Sequence, residues 1–213
     1  MRPVFHTFLA LFAPAVLAAP LQLQFVGVDG KAIAGTVVTL RSTDASRPVA
    51  KPTAAIMDQM DRQFVPHVLV IPAGSQVVFP NSDTVSHQVY SFSPANKFQL
   101  PLYRGKPYPP VPFDHEGVVT LGCNIHDQMR AYVYVVQAQY YGRTDAAGKW
   151  SVADVEPGEY TVVIWHPLSR VVAKPVLEQR VKISATGANL TLRAAAPLRL
   201  RSEAQLPSNW DAY

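Results

Sequence analysis

Residues 117–136 read GVVTLGCNIHDQMRAYVYVV. The first six and the last six of these residues are rich in Val, Tyr and Thr, and the stretch between them is bounded by Gly122 and Arg130. This is the pattern of strand, short connection, strand. Cys123, His126 and Met129 therefore lie on one tight connection, where their side chains can converge on a point. Cys123 is the only cysteine in the 213 residues.

Outward from this hairpin, strand signals dominate. LQLQFVGV (21–28), GTVVTL (35–40), HVLVIP (67–72), SQVVFP (75–80), HQVYSF (87–92), WSVADV (150–155), EYTVVIW (159–165), QRVKI (179–183) and NLTLR (189–193) are short and bounded by turn residues. Nineteen prolines punctuate the chain, and no segment keeps a helical period for a dozen residues. AAIMDQMDR (54–62) is expected to form at most a turn or two of helix. The fold class read from this pattern is all-β, a sandwich or barrel.

The N-terminus, MRPVFHTFLALFAPAVLAAP, has an early Arg2, an apolar stretch from Phe8 to Leu17, and small residues ahead of Ala19. It predicts a secretory signal over residues 1–18. The apolar stretch is shorter than the roughly 20 residues that span a bilayer, and Pro14 interrupts it. Export to the periplasm without membrane insertion is expected. The net charge is +4 for the whole chain, and +3 (18 basic against 15 acidic) once Arg2 is removed. Basic residues are scattered apart from LRLRSEAQ (198–205), with no basic stripe interleaved with aromatics, so a nucleic-acid partner is not expected.

Exported proteins use cysteines mainly in pairs. A lone one is a buried thiol, a dimer bridge, a nucleophile or a metal ligand. No orienting Asn or Asp and no oxyanion loop accompanies Cys123, which argues against a nucleophile. A thiolate, an imidazole and a thioether together form a soft ligand set. One more imidazole completes the two-His, one-Cys, weak-Met set of blue copper, whereas zinc sites hardly use thioether. VVFPNSDTVSHQVYSF (77–92) offers His87, which two connections at the same end of a sandwich can bring to face the Cys123 loop.

These residues resemble the cupredoxins. The strand-N-x-D-x-x-x-H-x-V-x-F arrangement at Asn81, Asp83 and His87 is similar to the loop that supplies their first His, and C-x-x-H-x-x-M looks like the short ligand loop of amicyanin. Three blocks, at 57–83, 90–103 and 117–129, resemble cupredoxin-like proteins found with methylamine-utilisation genes, and the likeness runs from about Ala55 to Val136. The resemblance implies a Greek-key cupredoxin sandwich holding one type 1 copper per chain through His87, Cys123, His126 and Met129. It implies a role carrying single electrons between redox partner proteins, with His126 as the gateway; an enzyme with a second catalytic copper is not expected, because the chain has only six His, one of them in the signal. Gln88 stands where many cupredoxins carry Asn after the first His, and Asp127 and Gln128 are polar where amicyanin-type loops are apolar.

YYGRTDAAGKWSVADVEPGEYTVVIWHP (140–167) has the turn spacing of successive hairpins and resembles a carboxypeptidase-regulatory-like or collagen-adhesin-B-like β-sandwich. FVGVDGKAIAGTVVTL (25–40) resembles that family's first two strands. The expected division is a signal (1–18), N-terminal strands (19–52) pairing with a C-terminal sandwich (138–195), an inserted copper domain (53–137) and a tail (196–213). The rival division gives the first strands to the middle domain. A monomer is expected. The alternative function is copper capture or delivery, with Met57, Met60 and His67 as a second site. His115 and His166 read as turn residues, and Asp58 and Asp61 as surface charge.

Overall fold

A computed structural model describes residues 18–169 and 171–198. The signal (1–18) falls outside the described residues except for Ala18, and so does most of the tail, at 199–213. No helix occurs among the described residues, so the all-β expectation agrees with the structure. In chain order, β1 (Ala19–Val26) and β2 (Val37–Ser42) precede a run of short strands: β3 (Ala54–Ile56), β4 (Asp58–Met60), β5 (Gln63–Val65), β6 (Val68–Pro72) and β7 (Ser75–Val78). Then follow β8 (Tyr90–Ser93), β9 (Asn96–Gln99), β10 (Val111–Phe113), β11 (Gly117–Gly122) and β12 (Arg130–Val136). The chain continues with β13 (Tyr140–Arg143), β14 (Lys149–Val155), β15 (Gly158–Trp165), β16 (Leu177–Ile183) and β17 (Ala188–Arg193).

Strict alternation decides where β1 packs. Leu21, Leu23 and Phe25 face inward, while Gln22 is exposed and Gln24 half-buried. β1 is antiparallel to β14 and parallel to β17. The other sheet of this lobe runs β13-β2-β15-β16. Val38, Leu40, Tyr160, Val162 and Ile164 meet Leu21, Leu23 and Phe25 in one core. Thus β1 and β2 pair only with strands that follow residue 139, and residues 54–136 form sheets of their own.

In that middle lobe a five-stranded sheet, β6-β12-β11-β8-β9, accompanies a three-stranded one, β10-β7-β3. The core between them contains Ile71, Val77, Phe79, Val89, Phe113, Val119, Leu121, Val133 and Val135. Phe98 lies edge-on to Phe113 with ring centroids 5.9 Å apart. The helical turns expected at 54–62 are absent: β3 and β4 occupy the stretch, and β4 pairs with β5 in a hairpin. Met57 and Gln59 are fully buried while Ile56 and Met60 are exposed, a period of two. Asp61 and Arg62 reverse the chain at φ 51° and 58°, the left-handed conformation of a two-residue hairpin turn.

β12 joins the two lobes because both its faces are covered. Ala131, Val133 and Val135 enter the middle-lobe core. Tyr132 and Tyr134 turn the other way and pack with Val37, Val68 and Trp165. The Trp165 ring lies 5.6 Å from Tyr132 and 5.1 Å from Tyr134, and its indole N–H donates to the Val172 carbonyl at 2.6 Å. At the periphery Arg41 donates to the Gln137 carbonyl and pairs with Glu116. That ion pair is half-exposed, so it contributes at most about 1 kcal/mol. The aromatic contact is the dominant attachment.

Trp165→Ala is expected to cost about 3–5 kcal/mol, read as a shift of the denaturation midpoint. Acid acts on the same region. His67, edge-on to Tyr132, and His166, next to Trp165, are each pushed down to about 4, chiefly by burial and secondarily by the Arg143 charge. The unfolded chain protonates such imidazoles near pH 6.5, whereas the folded one resists down to about pH 4. Stability is therefore fully present above pH 6.5 and lost as pH falls toward 4, by up to about 3 kcal/mol per histidine. Urea titrations at stepped pH measure the loss, and His67→Gln is expected to remove its share of the slope.

Candidate metal centre

The register of β11 and β12 opposes Gly122 to Arg130, which leaves residues 123–129 as the connection. The Cys123 N–H donates to the Met129 carbonyl at 3.3 Å, and the Met129 N–H donates to the His126 carbonyl at 2.9 Å, closing the loop on itself. Cys123 and Met129 belong to the apolar core, His126 is half-buried, and Ile125, Asp127 and Gln128 face solvent. Gly122 is needed because a Cβ there would meet the Tyr90 ring at 2.7 Å. His87 arrives from the neighbouring segment and is fully buried. Its backbone exchanges two hydrogen bonds with Tyr103, at 2.9 and 3.0 Å.

Three of the four expected ligands thus supply donor atoms that converge. The His87 and His126 Nδ1 atoms are 3.0 Å apart, and the Cys123 sulfur lies 4.0 Å from the first and 3.7 Å from the second. Among the described residues this is the one group of three or more His, Cys, Asp or Glu whose ligand atoms lie so close together, all within 4.8 Å. With metal–nitrogen bonds of about 2.0 Å and a metal–sulfur bond of about 2.3 Å, a trigonal metal separates its donors by roughly 3.5–3.7 Å. The observed edges of 3.0, 3.7 and 4.0 Å lie within about half an ångström of that size. Met129 lies in the same core as Cys123 and places a thioether-bearing residue at the end of the loop.

The protonation pattern also suits a metal. The Asp83 carboxylate lies 2.8 Å from His87 Nε2. A carboxylate only accepts, so Nε2 carries the hydrogen and the Nδ1 lone pair faces the sulfur. The His87 hydrogen bond holds the Asp83 carboxyl below the usual carboxylate range, with further help from the Arg62 amide. His126 is pushed down by burial first, then by His87 and Arg62, which favours the neutral ring that a metal needs.

The loop leading to His87 is pinned from several sides. Asn81 donates through Nδ2 to the carbonyls of Val85 and Tyr103, at 3.0 and 2.9 Å, and accepts from the Asp83 N–H at 3.0 Å. Asp58 accepts from the Ser82 hydroxyl at 2.7 Å, so this residue is a brace and not simply surface charge. The Tyr103 hydroxyl donates to the Phe79 carbonyl and accepts from Gln59 Nε2. Burial pushes that phenol up to about 12. Sequence reasoning did not assign these roles. The Asp83–His87 spacing of four was visible, whereas nothing local pointed to Tyr103 or Gln59. Gln88 is buried beside His87.

Of the remaining candidates, Met57 is buried in the middle-lobe core, Met60 is exposed, and His67 is buried edge-on to Tyr132 at the lobe junction. His115 is exposed in a bend; His166 begins a turn, as expected, but is buried there.

A family model for polysaccharide lyase family 4, domain II, matches residues 115–191. That span starts just before β11 and ends within β17, and it is the model that matches where the turn spacing resembles carboxypeptidase-regulatory-like sandwiches. No curated protein matches the chain. Among solved structures, a purple cupredoxin from Nitrosopumilus maritimus is 26% identical over 39% of this chain and 99% of its own, with a TM-score of 0.34. A copper-containing nitrite reductase from Thermus scotoductus is 22% identical over 53% of this chain and 28% of its own, at 0.37. A reduced amicyanin variant is 18% identical over 46% of this chain and 99% of its own, at 0.36.

Asn81→Ala removes three hydrogen bonds from the loop that leads to His87. It is expected to lower stability by about 2–3 kcal/mol, measured by chemical denaturation of the metal-free protein.

Proposed function

We propose that this protein carries single electrons between redox partners in the periplasm through one type 1 copper held by His87, Cys123, His126 and Met129. The observation behind this reading is the triangle of two imidazole nitrogens and one sulfur at the buried end of a β-sandwich. Copper bound there supplies the Cu(I)/Cu(II) couple. The protein's part is to hold its donors rigid, so that little reorganisation accompanies the change of charge.

Each residue has a distinct task. Cys123 provides the thiolate, the strongest donor of the set. His87, buried and bound to Asp83, provides a fixed nitrogen. Met129 provides a weak donor from the end of the loop. His126 alone is partly exposed, which makes it the exit for electrons, with Ile125 and Leu102 as exposed apolar residues on its loop and on the neighbouring segment. Cys123 is only 3% exposed and His87 is closed off from solvent, so only the His126 edge of the centre reaches the surface. We read this as the pattern of an electron carrier rather than an enzyme. The blocks that resemble methylamine-utilisation proteins suggest amine oxidation as the setting. Copper capture or delivery would draw on Met57, Met60 and His67 as well, and of these Met57 and His67 are buried while Met60 is exposed.

Copper titration of the mature protein, followed by visible absorption and electron-spin spectroscopy, tests the reading. One copper per chain with an intense visible band is expected, and Cys123→Ala is expected to abolish the band. Several readily exchanged coppers without that band would point to copper handling instead.

A further inference from the structure

We propose that Asp83 is the positioning residue of the metal centre: it selects the nitrogen that His87 presents to the metal and couples that choice to the β4–β5 hairpin. The inference rests on the copper reading above and deepens it.

The geometry is specific. One carboxylate oxygen, Oδ2, receives both the His87 Nε2–H at 2.8 Å and the Arg62 backbone N–H at 2.8 Å. Arg62 sits at φ 58° in the tip of the hairpin, and that left-handed turn is what aims its amide at the carboxylate. The Asp83 backbone is itself fixed, since its N–H donates to Asn81 Oδ1. Its side chain is 14% exposed and that of His87 fully enclosed, so water competes weakly for the contact.

Two consequences follow from chemistry. An imidazole with one hydrogen has two tautomers, and an acceptor at Nε2 leaves the lone pair on Nδ1, the atom that faces Cys123 and His126. A negative charge behind the ring also makes that lone pair more basic. A more basic donor favours the more highly charged metal, so Asp83 stabilises Cu(II) more than Cu(I) and lowers the reduction potential. The hairpin tip shares the same oxygen, so its closure is linked to the orientation of the ligand.

The test uses Asp83→Asn, which keeps size and one acceptor but removes the charge, and Asp83→Ala, which removes both. For Asp83→Asn, Cu(II) affinity is expected to fall 10- to 100-fold and Cu(I) affinity to fall less. The potential then rises by about 59 mV for each tenfold change in the Cu(II)/Cu(I) affinity ratio. Independently of copper, nitrogen-15 spectra of the metal-free protein report the His87 tautomer: Nε2–H alone in the unmodified chain, a mixture in Asp83→Ala. An unchanged potential in Asp83→Asn overturns the inference. So does a single Nε2–H tautomer in Asp83→Ala, and if that variant does not fold, the Asp83→Asn potential decides alone. Should the unmodified chain fail to give the one-copper visible band, the copper reading falls instead, and the tautomer measurement decides the Asp83 role alone.

Discussion

β12 is covered on both faces, and most of the architecture depends on that. A strand sends alternate side chains to opposite sides, so its run of Ala131, Tyr132, Val133, Tyr134 and Val135 divides between two cores. The aliphatic set closes the middle lobe. The two tyrosines hold Trp165 of the flanking sandwich. One strand thereby anchors the loop that holds Cys123, His126 and Met129 and also attaches the lobe that contains it to the rest of the chain. Such burial on both faces explains why the segment reads as nearly continuously apolar rather than alternating.

The metal centre benefits from this rigidity at one end. Cys123 and Met129 leave and re-enter adjacent strands whose register is set on both sides, so the connection between them has little freedom. His87 lacks that support, since it lies outside a regular strand and its backbone is held by the bridge to Tyr103. Hydrogen bonds donated by Asn81 and Tyr103 and accepted by Asp83 and Asp58 take the place of a ladder there. Buried polar groups of this kind are costly unless each finds a partner, and the partners here converge on the backbone just before the ligand. The outcome is a set of three donor atoms gathered at one point, with the Asp83 carboxylate behind the His87 ring.

Much of this was legible in the residues themselves. The strand–loop–strand hairpin at 117–136 placed Cys123, His126 and Met129 together, because seven connecting residues cannot separate far. The turn spacing after residue 140 announced a second sandwich. Less legible was 54–62, where two methionines among acidic residues gave no clear period. The helical turns expected there gave way to β4–β5 because burying Met57 and Gln59 on one side, with Asp61 and Arg62 adopting left-handed φ, satisfies the neighbouring ligand loop.

By itself the sequence determined the β character of the chain and the soft chemistry of one loop, since both follow from local alternation and from residue types a few positions apart. Only the tertiary structure decided that β1 and β2 pair with strands beyond residue 139. It also decided that His87 meets a loop 36 residues away, and that Asp83 and Tyr103 hold it there. Those contacts arise from strand pairing between distant segments, and pairing over such distances depends on which faces can be buried together rather than on any local signal.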